Sequence, residues 1–169
     1  LSIRRQRQMC IRDRPWRQVI GELVRGRDRL SALFAGRFLP VMVPPWNRID
    51  AGLVARLPAA GFYGLSTYKA RASGEPAPGL RQVNCHADPV DWQGSRGFAG
   101  AETVLAAVVD HLRDRRTGAA DAAEPTGILT HHQLHDEPAW AFLAELAARV
   151  RRHAAGRWVS LGTVLGTSR

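Results

Sequence analysis

The most constraining feature of this chain is a short apolar run that ends in histidines and leads directly into a helix. Gly127–Thr130 suits a short buried strand. Pro138 suits the first turn of the following helix, which Asp136 or Glu137 could cap. Three histidines lie between the two elements: His131, His132 and His135. Because α/β proteins present chemical groups where strands end and helices begin, we expect functional side chains here.

Strand-like and helix-like patterns alternate along the rest of the chain. Strands are predicted at residues 38–43, 62–67, 81–85, 127–132 and 157–160. Helices are predicted at residues 17–35, after Asp50, from Ala101 to Leu112, and from Pro138 to about residue 154. This alternation implies an α/β fold with a parallel sheet. No Gly-rich phosphate-binding motif follows a strand, and long loops at the strand ends favour part of a (β/α) barrel over a doubly wound sheet.

Residues 1–14 resemble nothing that follows them. They lack helical or strand periodicity and hold five Arg against one Asp, nearly half of the net charge of +9. We interpret them as a non-native, adapter-derived segment, with a genuine basic arm as the alternative. Because the remaining sequence opens on a helix without a preceding strand, we expect residues 15–169 to be only the C-terminal part of a barrel domain.

The composition argues against several kinds of partner. Arginine outnumbers lysine 23 to 1, and no basic run is interleaved with aromatic residues, so we expect no nucleic-acid partner. Cys10 and Cys85 are too few for a disulfide framework and favour a reducing, cytoplasmic compartment. The sequence has no apolar run of about 18 residues, so no membrane span is predicted.

The strand end at Val43 carries a rigid aromatic segment. Pro44 and Pro45 fix the backbone without an N–H and direct the following side chains outward. Trp46 could stack on the apolar face of a sugar ring, with Arg48 beside it. The alternative is that Trp46 covers the core and that Arg48 is solvated.

Two carboxylates lie three positions apart in the loop after residue 85. Asp88 and Asp91 stand between His86 and Trp92. Such a group can orient a general acid or bind a ligand hydroxyl. The alternative is an Asp-Pro turn whose side chains cap their own backbone.

The histidines after residue 130 differ in their expected roles. On a strand, His131 and His132 would point to opposite faces, so one would face the site and the other would pack behind it. Together with His135 they could instead bind a metal, although the spacing is not that of a zinc motif. His111 and His153 are predicted to lie on exposed helix faces.

These segments together resemble the polysaccharide deacetylases, the NodB-homology group of carbohydrate esterase family four. Asp88-Pro89-Val90-Asp91-Trp92 matches the family's Asp-x-x-Asp-Trp block in full. Val43-Pro44-Pro45-Trp46-Asn47 is similar to its Arg-Pro-Pro-Tyr block, and Leu129-Thr130-His131 to its Leu-x-His block. The blocks follow the family order, and the alignment covers Pro15 to about Leu165.

The resemblance implies a distorted (β/α) barrel that removes acetyl groups from an amino sugar or glycan with a divalent metal, usually zinc. In that mechanism the metal polarises the acetyl carbonyl and activates a water. His131 protonates the leaving group, while Asp88 or Asp91 pairs with it. The implied catalytic residues are His131, Asp88 and Asp91, and the implied substrate-binding residues are Trp46, Arg48, Trp92 and His86.

Two departures from the family pattern bear on activity. Val43 stands where the family has the arginine that holds its catalytic aspartate, and Arg48 could substitute for that arginine. The family's Asp-Asp and His-x-x-x-His blocks, which supply the base and all three metal ligands, have no counterpart here. We therefore expect the metal ligands to lie upstream in an intact protein, and no metal binding or activity from these residues alone. A catalytically inactive glycan-binding barrel is the alternative.

Overall fold

The computed structural model describes residues 14–166, so the segment predicted to be non-native lies outside the described residues apart from Arg14. The chain divides into two compact units. The first unit comprises the described residues up to Leu65 together with Glu75–Arg81, and the second comprises Ser66–Gly74 and the chain from Gln82 onward. Helices and short parallel strands make this an α/β protein, as predicted.

The first unit holds two α-helices, two short 3₁₀ helices (Ala35–Arg37 and Pro45–Asn47) and a small sheet. Its elements are α1 (Trp16–Phe34), β1 (Val41–Met42), α2 (Ala51–Val54), β2 (Gly64–Leu65) and the start of β3 (Arg81–Gln82). Of the two residues of β3, Arg81 belongs to the first unit and Gln82 to the second. The strand order is β1-β2-β3, and β1 pairs with β2 in parallel. Asp50 caps α2 by accepting a hydrogen bond from the Gly52 N–H at 2.8 Å, as its position before the helix predicts.

An apolar core lies between these elements of the first unit. Its buried members are Leu57, Ala60, Phe62, Leu65, Ala77 and Leu80. The first half of α1 packs Ile20, Leu23 and Val24 against this core. Full burial of a large aliphatic side chain contributes about 1.5–3 kcal/mol, so even the partial burial of these three residues helps to hold α1 in the unit.

The second unit contains the helices α3 (Ala101–Thr117), α4 (Glu137–Arg152) and α5 (Leu161–Leu165). Two isolated parallel bridges, Tyr68 with Cys85 and Ala87 with Ile128, join its extended segments. Asp136 caps α4 by accepting from the Ala139 N–H at 3.0 Å, as predicted. In the described part of the chain, no helix is both long enough and apolar enough to cross a membrane.

The predicted strand at residues 157–160 is wrong. This segment is irregular, and Ser160 instead starts α5 by accepting a hydrogen bond from the Thr163 N–H at 3.0 Å. The preference of serine for the position before a helix outweighs the β-propensity of Trp158 and Val159.

The strands predicted at residues 38–43, 62–67 and 81–85 are confirmed in place but are shorter than expected. Each of the three named strands has two residues, and the 127–132 segment forms a single bridge at Ile128. Pro40 and Pro44 flank β1 and have no N–H for a sheet ladder, which limits its length. The extended 127–132 segment ends because the carbonyl of His131 accepts from the N–H groups of Leu134 and His135, which forms a turn.

Candidate functional site

Two neighbouring segments of the second unit bring Asp88 next to His131. Ala87 and Ile128 form a parallel bridge, and the Leu129 N–H donates to the Ala87 carbonyl at 2.8 Å. Both segments therefore run in the same direction and end at the same edge. The side chains that follow them, Asp88 and His131, meet there, as expected for the carboxyl ends of parallel strands.

Gly127 allows these segments to approach closely. The His86 N–H donates to the Gly127 carbonyl at 2.7 Å, and the Gly127 N–H donates to Nδ1 of the His86 ring at 3.0 Å. A Cβ at residue 127 would overlap the carbonyl oxygen of Asn84. A glycine is therefore required at this position for the pairing that aligns the two segments.

His131 and Asp88 form a hydrogen-bonded pair. His131 Nε2 lies 3.1 Å from Asp88 Oδ2, and the same oxygen accepts from Trp92 Nε1 at 2.8 Å. Asp88 Oδ1 accepts from the Val90 N–H at 3.0 Å, so the carboxylate is held at both oxygens. Because an ionised carboxylate only accepts hydrogen bonds, the neutral His131 ring carries its proton on Nε2. Nδ1 is then the nitrogen that can exchange a proton with a ligand.

Asp91 has a different role from Asp88. Its carboxylate accepts from the backbone N–H groups of Gln93, Gly94 and Ser95. These hydrogen bonds, that from Ser95 first, lower the pKa of Asp91. Asp91 thus shapes the turn after Asp88, and Asp88 is the aspartate that pairs with His131.

A chain of edge-to-face contacts extends from this pair. Trp92 contacts His131 with ring centroids 5.0 Å apart, His131 contacts His135 at 6.2 Å, and His135 contacts Trp140 at 5.1 Å. We call these four residues the ring row. The backbone N–H of His131 also donates to His135 Nε2 at 3.0 Å, which fixes the two histidines relative to each other. His132 is exposed, so the expectation that it packs behind His131 is wrong, because the turn begins at His131.

His86 is buried in a cluster with His111 and Glu124. The His86 and His111 rings stack with centroids 3.4 Å apart, and their Nε2 atoms lie 3.4 and 3.9 Å from Glu124 Oε2. Glu124 is fully buried and also accepts from the N–H groups of Arg71 and Asn84. Burial opposes its ionisation, but the His86 side chain and these backbone donors together lower the pKa of Glu124.

The ligand atoms of this cluster lie within 4.8 Å of one another, a spacing that could hold a metal ion. A histidine that binds a metal through Nε2 normally donates from Nδ1, whereas His86 Nδ1 accepts from the Gly127 N–H. The neutral His86 ring therefore has its proton on Nε2. The His86 and His111 planes are also nearly parallel, at 14°, so their Nε2 lone pairs cannot converge on one ion. In this arrangement the cluster does not fit a divalent metal.

The prediction that His111 lies on an exposed helix face is wrong. His111 and Val104 are the buried residues of α3, and they lie seven positions apart, on the same side of the helix. His111 Nδ1 lies 2.9 Å from the Thr126 hydroxyl oxygen. The seven-residue spacing from Val104 was the sequence signal that could have indicated burial.

Two further residues of this region carry no recognisable sequence signal. Burial raises the pKa of Tyr68, and the Asp88 carboxylate contributes to this rise as the second cause. Trp140 lies in the first turn of α4, where an amphipathic pattern alone suggests only a helix surface.

Trp46 and Arg48 belong to the first unit, and His131, Asp88, Asp91, Trp92 and His86 to the second. Both Trp46 and Arg48 are exposed. Trp46 and Asn47 have φ angles of 60° and 55°, in the left-handed region that non-glycine residues rarely occupy. The Pro-Pro segment therefore ends in a strained turn that directs Trp46 outward, as its prolines predict.

Comparison of the chain with protein families, with curated proteins and with solved structures gives no significant match. Interpretation of the site therefore depends on its own geometry and on the sequence blocks described above.

Proposed function

We propose that the chain carries the proton-donating part of the active site of a metal-dependent hydrolase, similar to polysaccharide deacetylases, that removes acetyl groups from an amino sugar or glycan. The observation that carries this proposal is the 3.1 Å pair between His131 and Asp88, with Trp92 bonded to the same carboxylate. All three residues lie in the blocks that resemble the family. The proposal also includes a specific fold, the C-terminal part of a distorted (β/α) barrel.

The chemistry of the pair suits protonation of a leaving group. In its imidazolium form His131 holds one proton at Nε2 against Asp88 and can give the other from Nδ1 to a departing nitrogen or oxygen. The Asp88 carboxylate stabilises this cation and fixes the ring orientation. His131 is about three-quarters buried, with 23% of its side chain exposed, so it is held rigidly while a ligand can still reach it.

Trp92 supports the same role. Its indole N–H donates to the ionised Asp88 carboxylate and helps to orient it towards His131, and its ring stands nearly perpendicular to the His131 ring, at 83°. Because 43% of Trp92 is exposed, part of the indole is open to a ligand beside the proton donor. An indole surface matches the apolar face of a sugar ring.

The metal of such an enzyme has no fitting ligand set among the described residues. The cluster of His86, His111 and Glu124 has suitable spacing, but the Nε2 proton of His86 and the stacked rings do not fit a divalent ion in this arrangement. The resemblance places the ligands in blocks that this sequence lacks. The steps assigned here to His131 and Asp88 therefore involve only their own protons and charges.

A catalytically inactive, glycan-binding relative is the second candidate. It is favoured by Val43, which is exposed and stands in place of the arginine expected to hold the catalytic aspartate. Arg48, five residues after Val43, carries the guanidinium that could substitute for this arginine.

The decisive experiment begins with the coding sequence upstream of residue 15 in the source DNA. The proposal expects Asp-Asp and His-x-x-x-His blocks there, and zinc-dependent acetate release from N-acetylated amino-sugar oligomers by the longer protein. Replacement of His131 by Ala should lower kcat by about 10²–10⁴-fold, whereas the same change at the exposed His132 should have little effect. The 169-residue chain alone should release no acetate.

Three results would count against the proposal. An upstream sequence without both blocks would overturn the deacetylase assignment. Glycan binding by the longer protein without acetate release would favour the inactive relative. Equal losses in His131→Ala and His132→Ala would remove His131 from the mechanism.

A further inference from the structure

The ring row extends the site beyond the residues that the sequence blocks contain. Trp92 and Trp140 occupy its two ends, and His131 and His135 lie between them. The two indoles are almost equally exposed, at 43% and 44%. Exposed aromatic surface next to convergent polar groups is typical of a ligand-binding groove.

Trp140 is held in a defined position. Its backbone N–H donates to the Asp136 carbonyl at 3.1 Å in the first turn of α4. The Asp136 side chain caps this turn and also accepts from the Phe98 N–H at 2.9 Å. These hydrogen bonds, that from Phe98 first, lower the pKa of Asp136, so it stays ionised and holds the turn at neutral pH. Because the backbone of Trp140 is fixed and its ring contacts His135, the indole loses little conformational entropy when a ligand stacks on it.

The character of the row identifies the kind of ligand. An apolar peptide or a second copy of this chain would require continuous apolar surface, whereas here two histidines separate the indoles. A glycan alternates apolar C–H faces with hydroxyl groups. The two indoles can meet such faces, and Nδ1 of His131 can meet a hydroxyl, whereas His135 only spaces the rings because its Nε2 accepts from the His131 backbone N–H and its Nδ1 is buried.

We propose that Trp140 forms a second sugar-stacking platform, so that the site binds an extended glycan of two or more units in preference to a single acetylated sugar. This inference depends on the proposed function. The unit to be deacetylated stacks on Trp92 beside His131, and a further unit of the same chain stacks on Trp140. Trp140 thus determines chain-length specificity and takes no part in the chemical step.

The test compares ligand lengths on the 169-residue chain. Binding of N-acetylglucosamine and of its β-1,4-linked dimer and tetramer is measured by calorimetry for the unchanged chain and for Trp140→Ala. The unchanged chain should bind the tetramer about 10-fold or more tightly than the monomer. Trp140→Ala should keep the monomer affinity and lose most of this gain.

Trp158 provides the matched control. It is in the same unit and 47% exposed, and its Nε1 donates to the carbonyl of Ala147, which lies seven residues beyond Trp140 on α4. Trp158→Ala should retain the full gain with length, and Trp140→Phe, which keeps a ring against His135, should show an intermediate gain.

The outcomes separate this inference from the proposed function. A gain with length that persists in Trp140→Ala, or that falls equally in Trp158→Ala, would overturn the role of Trp140 while leaving the proposed function intact. Failure of the unchanged chain to bind any of the three sugars would overturn glycan binding itself.

Discussion

Asp88 and His131 are 43 positions apart in the sequence, yet their side chains meet at 3.1 Å. They meet because each follows a segment that takes part in the parallel bridge between Ala87 and Ile128. Asp91, only three positions from Asp88, bonds to its own turn instead. Because the two carboxylates are chemically equivalent, backbone geometry decides which aspartate pairs with the His131 imidazole.

The different roles of Asp88 and Asp91 can be tested without activity. In Asp88→Ala the indole N–H of Trp92 loses its acceptor at 2.8 Å, so its NMR resonance should move upfield and its hydrogen exchange should accelerate. Asp91→Ala should leave this resonance nearly unchanged, while it lowers stability because three backbone N–H donors lose the carboxylate that accepts from them. An equal response in both variants would contradict the separate roles.

Gly127 should tolerate no side chain. Gly127→Ala places a methyl group against the carbonyl oxygen of Asn84, and the resulting overpacking should destabilise the protein by about 1–3 kcal/mol or more. Gly26 lies in α1 with open space around it, so Gly26→Ala should stabilise by roughly 0.5–1 kcal/mol. Urea unfolding measures both changes, and effects of the same sign would argue against the close approach at Gly127.

Acidification should destabilise the protein through His111. Burial, followed by the neighbouring His86, lowers the pKa of His111 from its ordinary value of 6.5. The unfolded chain therefore binds a proton at a higher pH than the folded protein does. The contribution to stability is complete above pH 6.5 and is lost as pH falls from there through the lowered pKa.

The measurement is the free energy of unfolding at about pH 7.5 and about pH 5.5, on either side of an ordinary histidine pKa. His111→Asn keeps a group that can bond to Thr126 but removes the titration, so its stability should change less between the two pH values. His153→Asn, at an exposed position, should behave like the unchanged protein. A pH dependence that is identical in all three proteins would exclude His111 as its source.

The core of the first unit should depend strongly on Leu57. This residue is fully buried, whereas Leu33 on α1 is 64% exposed. Leu57→Ala should cost about 2–5 kcal/mol, the transfer energy of the lost methyl groups plus that of the cavity. Leu33→Ala should change stability by no more than about 0.5 kcal/mol. Similar losses in both variants would contradict the burial that separates them.

Local signals were sufficient to predict much of this protein. Pro138, with Asp136 before it, predicted the start of α4, and the polar strand ends predicted where Asp88 and His131 would lie. The same local reasoning failed at residues 157–160, where Trp158 and Val159 favour a strand but Ser160 caps a helix. In that segment a single side-chain hydrogen bond outweighs two β-propensities.

The buried cluster could not be predicted from the sequence. Glu124 lies in an alanine-rich loop without periodicity, and its partners are distant along the chain. His86 and His111 carry no pattern that would pair them. Such contacts depend on the assembled fold, because local propensity says nothing about which segments become neighbours.

The position of Glu124 also affects the order in which the second unit can form during synthesis. Its carboxylate accepts from the Arg71 N–H, 53 positions earlier, and from the Asn84 N–H, 40 positions earlier. While the ribosome is still translating residues before 124, both N–H groups lack their native acceptor. Because unpaired buried N–H groups are costly, the segments around Arg71 and Asn84 should remain unfolded on the ribosome until Glu124 has emerged.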